Sequence, residues 1–223
     1  MTVDPHTLAQ WDEMVPRLEG FMKTLAPVTE DEDRFYHIVS AISGSAIPNY
    51  WALRDAYSND QQHLVAWACR NLLELAIFAQ FVVASQSNMK SFAEDRLIDG
   101  HQIASLLFKM EEWVGGTAHA QKSVGPLIDE HVKMMNAEHV TRARFTSVAE
   151  VATGTLKKEF SSVNQLCSKF VHPTAWSLLT ADRGPARFPE ASELMLTFGV
   201  QYFMTVCEAF MPHIRKHGLK PNP

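Results

Sequence analysis

The chain has 223 residues and a mass of 25.1 kDa, which fits one domain or one domain with appendages. Apolar residues make up 46% of the sequence and charged residues 20%, a balance that excludes an intrinsically disordered protein. The net charge is −5, so the protein as a whole does not attract nucleic acid electrostatically.

The first two thirds of the chain predict a series of helices. Residues 6–25 repeat apolar side chains every three or four positions, as an amphipathic helix does. A second helix follows "PVTEDED", and "SGSAIPNYW" predicts its break between Gly44 and Pro48, with a further segment to Tyr57. Ser58 and Asn59 are predicted to cap a third helix that is apolar almost all round, so it should be central in the bundle. Another helix is predicted over about 89–112, and the glycines of residues 114–126 predict a loop.

The last third continues the helical pattern. A shorter helix is predicted over about 126–139, and Ser147 could cap the next, which should end at His172 because Pro173 disfavours the α conformation there. A long connection over 173–188 then leads to a last helix over 189–217. We therefore predict an all-α, up-and-down bundle of about six to seven helices. It should be a single domain over 1–223, with a core over about 58–217 and N-terminal helices over 6–57.

The cysteines and the N-terminus bear on the compartment. Three cysteines without a short spacing argue against a disulfide framework and a zinc knuckle, and predict buried free thiols: Cys69, Cys167 and Cys207. The N-terminal residues lack the pattern of a signal peptide. The most apolar window is too polar for a membrane span because it contains Arg70, Asn71, Glu74 and Gln80. We predict a cytoplasmic protein without a membrane partner.

Charge is distributed unevenly along the chain. Residues 1–33 hold eight acidic side chains against two basic ones, whereas residues 141–172 hold five basic side chains against two acidic ones. A basic patch on an acidic protein can select a partner that carries phosphate. Two ordinary solvated faces are the alternative interpretation.

The central helix supplies the first group of candidate ligand-binding residues: His63, Arg70, Asn71 and Glu74. At 100° per residue, His63, Arg70 and Glu74 fall on one stripe, with Asn71 beside it. Arg70 and Glu74 are four residues apart and can pair. The stripe is therefore either an ion pair on a solvated face or the lining of a polar pocket.

The helix that ends at His172 supplies the second group. Lys158, Gln165, Lys169 and His172 fall opposite the apolar stripe of this helix, so His172 is not a core residue. At a helix C-terminus, His172 can simply cap free carbonyl groups. Alternatively, Lys169 and His172, one turn apart, offer a phosphate-binding charge and a titratable nitrogen, which makes them the candidate catalytic pair.

We expect neither a metal nor a cofactor. Gly115 and Gly116 have no lysine and no preceding strand, so they do not form a phosphate loop. The Glu-x-x-His pairs of a di-iron bundle are missing from the sequence. His131 and His139 share one helix face, but a third, well-placed ligand is lacking.

Two segments form a recognisable pair: "RNLLEL", with Arg70 and Glu74 in an early helix, and "SKFVHPTAW", about a hundred residues later. Together they resemble the HEPN-like superfamily, in particular its uncharacterised bacterial branches. The resemblance covers roughly residues 58–180. It implies an all-α bundle, often a homodimer, that acts as a metal-independent RNase, binds nucleotides or serves in toxin and anti-phage systems. His172 matches the histidine of the nuclease motif. Leu166 and Cys167 stand where the arginine is expected, and the nearest base is Lys169, which lacks the planar fork of arginine.

Three hypotheses for function follow. The first is a HEPN-like bundle that binds a nucleotide, RNA or a protein partner, in a toxin or defence context. The second is a metal-independent RNase with a degenerate motif, in which His172 acts as general base and Lys169 or Arg70 stabilises the transition state. The third is a purely structural helical adaptor. In each case the broad apolar stripes and the ten methionines predict a homodimer.

Overall fold

The protein is all-α, as the periodicity predicts. The computed structural model describes residues 5–23, 30–141, 144, 146–172 and 189–216, and these contain nine helices and no strand. The helices are α1 (Pro5–Lys23), α2 (Glu30–Ser58), α3 (Gln62–Ala84), α4 (Gln86–Gly115), α5 (Thr117–Ser123), α6 (Gly125–Ala137), α7 (Val148–Val151), α8 (Gly154–Val171) and α9 (Pro189–Lys216). The number exceeds the predicted six to seven because α5 and α7 are too short for their periodicity to be visible. The predicted connection over 173–188 lies outside the described residues.

The chain forms two compact units. The first comprises residues 1–84 and 151–223, and the second comprises residues 85–150. In the first unit α3 packs against α2, α8 and α9, and ten of its residues are buried, so it is the central helix that its composition predicts. In the second unit α5 and α6 pack against α4. The single domain over 1–223 stays a prediction, because two compact units do not decide whether they fold separately.

The predicted break in the second helix is wrong, since α2 continues through Gly44 and Pro48. Pro48 has no N–H group to donate to the carbonyl of residue 44, and a proline in the interior of a helix costs about 3 kcal/mol. Burial of Ile47, Tyr50 and Leu53 favours the continuous helix, because each large buried side chain contributes about 1.5–3 kcal/mol.

The predicted cap of the third helix is also wrong, because Ser58 and Asn59 belong to the end of α2. Backbone hydrogen bonds from Asp60 N to Tyr57 O (3.1 Å) and from Gln61 N to Ala56 O (2.8 Å) close α2 as a Schellman motif. Asp60 takes the left-handed conformation that this motif needs, with φ of 57°. Cap residues such as serine and asparagine do not reveal whether a helix starts or ends there.

The second unit departs from prediction in its loop. Gly116, with φ of 82°, separates α4 from α5, and the predicted loop over 114–126 therefore contains a short helix with Ala120 buried. The predicted helices on either side are present as α4 and α6. Beyond α6, the buried carboxylate of Asp95 in α4 accepts a hydrogen bond from the backbone N–H of Thr146 (3.1 Å) and so holds this segment against α4.

Ser147 caps a helix, but not the long one predicted. The Ser147 hydroxyl (2.7 Å) and backbone N–H (3.0 Å) both donate to Glu150 Oε2 at the start of α7. The helix then stops, and α8 begins after Thr153, with Gly154 at φ of 55°. A left-handed residue at this position explains why one predicted helix is two.

Among the described residues, two helices are long and apolar enough to cross a membrane by length and composition alone: Gln62–Ala84, which the sequence predicts to be too polar for a span, and Pro189–Pro212. About half of each apolar window is buried in the protein (56% and 44%), and the core helix of a globular protein gives the same signal. The cytoplasmic location stays a prediction.

Candidate functional site

The helix α8 ends where the sequence predicts. His172 follows the last helical residue with extended backbone angles, φ of −95° and ψ of 141°, and its backbone N–H still donates to Ser168 O (3.2 Å). The conformation is the one expected of a residue before proline. His172 therefore marks the C-terminal end of α8, and its ring is exposed.

One face of α8 is buried and the opposite face is exposed and basic. The buried side chains are Leu156, Val163 and Cys167. We call the opposite side the α8 basic face, and its exposed residues are Lys157, Lys158, Ser161, Ser162, Gln165, Lys169 and His172. The one carboxylate of α8, Glu159, is half-buried and close enough to Tyr202 of α9 to help raise the pKa of that tyrosine, after the larger effect of burial. The exposed face of α8 therefore carries lysine side chains and no exposed carboxylate of this helix.

Two residues of the first candidate group, Arg70 and Glu74, form an ion pair on α3. Arg70 Nε lies 3.2 Å from Glu74 Oε1, and the two side chains are 33% and 30% exposed. The pairing that the four-residue spacing predicts is therefore present. An ion pair of this exposure contributes roughly 0–1 kcal/mol to stability.

Asn71 and His63 have different surroundings. Asn71 Nδ2 donates to Asn49 Oδ1 of α2 (3.0 Å), so this amide holds α2 against α3. His63 is exposed near the start of α3. The four predicted ligand-binding residues thus lie along α3, but the partly buried Asn71 already has a partner on α2.

Two buried thiols join α3 to α8. Cys69 and Cys167 are fully buried and hydrogen-bonded to each other. This bond and burial raise the pKa of Cys69 well above its usual value. The bond from Cys69 lowers the pKa of Cys167, as does the nearby charge of Arg70, against the opposing effect of burial. The prediction of free buried cysteines is confirmed for this pair, whereas Cys207 is half-buried.

The position of the thiol pair indicates how close the predicted site residues on α3 and α8 lie to one another. Arg70 lies near the part of α8 that contains Cys167, so the structure brings the two helices side by side there. No hydrogen bond or ion pair joins Lys169 or His172 to Arg70 or to another described side chain. A single pocket shared by Arg70 and His172 stays a prediction.

The sequence did not predict the thiol pair. Cys69 and Cys167 are 98 positions apart, and a contact between such distant positions has no signature in a single sequence. Among the described residues, no three His, Cys, Asp or Glu side chains are grouped so that they could hold a metal ion.

Comparison of the chain with protein-family models, with curated proteins and with solved structures gives no match. The HEPN-like resemblance therefore stays a prediction from two sequence segments.

Proposed function

We propose that this helical bundle binds RNA through the sugar–phosphate backbone, with the α8 basic face as the binding surface. The observation that carries the proposal is the exposure of Lys157, Lys158 and Lys169 on one face that has no exposed carboxylate. Lysine side chains bind phosphates as point charges, and the release of counterions from the nucleic acid drives such binding.

The dimensions of the face favour a polymer over a mononucleotide. Lys158 and Lys169 are eleven positions apart, which corresponds to about 16 Å along a helix. The phosphates of a single nucleotide cannot span that distance, whereas those of a strand can. The hydroxyl and amide groups of Ser161, Ser162 and Gln165 lie between the lysines and can donate hydrogen bonds to phosphate and sugar oxygens.

The aromatic residues of α8 offer little surface for base stacking. Phe160 and Phe170 are half-buried, so neither offers a fully exposed ring on which a base could stack. The ion pair of Arg70 and Glu74 has no net charge and adds little attraction for phosphate. We therefore expect binding that depends on salt far more than on sequence.

Titration of a fluorescently labelled single-stranded RNA, read by anisotropy, tests the proposal. If three lysines each neutralise one phosphate, the logarithm of the affinity should fall with that of the salt concentration with a slope of about −2. Between about 50 and about 200 mM salt the affinity should fall about twentyfold. Replacing Lys157, Lys158 and Lys169 together with glutamine, which is as good a helix former as lysine, should bring the slope close to zero.

A matched variant shows whether RNA binds the α8 basic face or responds only to the total charge of the protein. Replacing Lys90, Lys122 and Lys133 with glutamine removes the same charge from exposed positions of the second unit. This control should keep the affinity and the slope of the wild-type protein. Equal loss in both variants, or no binding by the wild type, would show the proposal to be wrong.

The same RNA reports on the RNase hypothesis. Cleavage in the presence of a chelator that is lost in His172→Ala would indicate a metal-independent nuclease, and binding without cleavage would indicate a binding protein. A toxin or defence context, which the HEPN-like resemblance implies, stays a prediction.

A further inference from the structure

The second half of α4 carries an exposed apolar surface. Every residue of α4 after Ala104 is at least partly exposed, although the helix continues to Gly115. Six exposed positions in this half of the helix, Ile103 and five that follow Ala104, are large and apolar, and we call them the α4 stripe: Ile103, Leu106, Leu107, Met110, Trp113 and Val114. Trp113 is 88% exposed and Met110 is 62% exposed, which is unusual for side chains of this size.

The α4 stripe has the spacing of a helix–helix seam. The steps from Ile103 through Leu106 and Met110 to Trp113 are three, four and three residues. Apolar residues at this spacing form the contact line of paired helices. On the neighbouring side, Glu111 is hydrogen-bonded to His119 of α5 (2.8 Å), so α5 covers a different face of α4.

We propose that a second copy of this chain covers the α4 stripe, so that two antiparallel α4 helices form the core of a homodimer. The order of steps, three, four, three, reads the same in both directions along the helix. A twofold axis at the level of Phe108 therefore places Ile103 opposite Trp113 of the second copy, and Leu106 opposite Met110 of the second copy. A twofold interface requires such self-complementarity, because the same surface patch is used on both subunits.

The area of the stripe is what a dimer of this kind needs. Monomeric proteins rarely expose a contiguous apolar patch larger than a few hundred Å². A buried aromatic side chain alone covers about 150–250 Å², and five aliphatic or methionine side chains accompany Trp113. Together with polar neighbours they approach the roughly 800 Å² that each partner buries in a stable interface.

The mass of the full chain in solution, measured by light scattering at micromolar concentration, tests the proposal. The wild-type protein should be a dimer. Met110→Glu places a charge at the centre of the interface and should raise the dimer dissociation constant about a hundredfold or more. Leu194→Glu is the matched control, because Leu194 is also an exposed apolar residue but lies on α9. This control should remain a dimer.

Cysteine cross-linking tests the register of the two helices and does not depend on Met110→Glu remaining folded. The double variant Ile103→Cys, Trp113→Cys should give a covalent dimer on mild oxidation, and each single variant should not. A monomeric wild type, a dimer that persists unchanged in Met110→Glu, or a double variant that does not cross-link would overturn the proposal. Dimers in which the single variants cross-link equally well would refute the antiparallel register.

Discussion

Replacing Gly199 with valine should lower the free energy of unfolding by about 1–3 kcal/mol, whereas the same replacement at Gly44 should leave it unchanged or raise it slightly. Gly199 lies where α9 packs against α2. A Cβ atom there would overlap Cδ2 of Leu53 and lie 3.3 Å from its Cδ1. Leu53 is fully buried, so its side chain has little room to move away.

Gly44 provides the control because the same change meets no neighbour. It lies on the exposed side of α2, and a Cβ atom built there has nothing within 4 Å. Valine has a better helix propensity than glycine by a few tenths of a kcal/mol, so a small gain is expected. Urea denaturation followed by circular dichroism measures both variants. Equal stability of the two would mean that α9 does not approach α2 as closely as the structure places it.

Lowering the pH should destabilise the wild-type protein more than the variant Asp12→Asn, because the variant lacks the stabilising Asp12 carboxylate at every pH. The Asp12 carboxylate holds α1 to α2: Arg54 Nε and Nη2 donate to it at 3.0 and 2.9 Å, and the Tyr50 hydroxyl donates at 2.7 Å. The bond from Arg54 lowers the pKa of Asp12 most, and the Tyr50 hydroxyl and the charge of Arg54 add to this, against the opposing effect of burial. At neutral pH these contacts should stabilise the fold by about 1–3 kcal/mol, since hydrogen bonds to charged groups are the stronger ones.

The sign of the pH dependence follows from the lowered pKa. The stabilisation is complete above the ordinary value of 3.8 and is lost as the pH falls through the lower pKa of the folded state. The difference in unfolding free energy between wild type and Asp12→Asn should therefore shrink as the pH is lowered from neutral to below that value. Asp55→Asn removes an exposed carboxylate next to Arg54 and is the control. A difference for Asp12→Asn that stays constant with pH would contradict this account.

The sequence predicts the helices well where one face is apolar and the ends are marked locally. The end of α8 at His172 is confirmed because a following proline constrains the residue before it. The continuity of α2 could not be predicted, since burial of Tyr50 and Leu53 against distant helices offsets the local cost of Pro48. The turn at Asp60 was not predicted either, because aspartate takes the left-handed conformation more often than most residues but still in a small minority of positions.

The candidate site likewise has features that the sequence predicts and features that it does not. The ion pair of Arg70 and Glu74 and the exposed position of His172 follow from helical spacing, and both are present in the structure. The contact of Asn71 with Asn49, 22 positions away, depends on how α2 packs against α3. The bond of Asp12 to Arg54 spans 42 positions and likewise depends on packing. Spacing along one helix is encoded locally, whereas the partner of a side chain on another helix is not.

Lysine acetylation with and without RNA, quantified residue by residue by mass spectrometry, tests the proposed binding of RNA by α8 most directly. All the lysines compared are exposed in the free protein and should react. Saturating single-stranded RNA should protect Lys157, Lys158 and Lys169 while Lys90, Lys122 and Lys133 react as before. Protection spread evenly over both sets, or restricted to the second set, would contradict the proposal that α8 carries the binding surface.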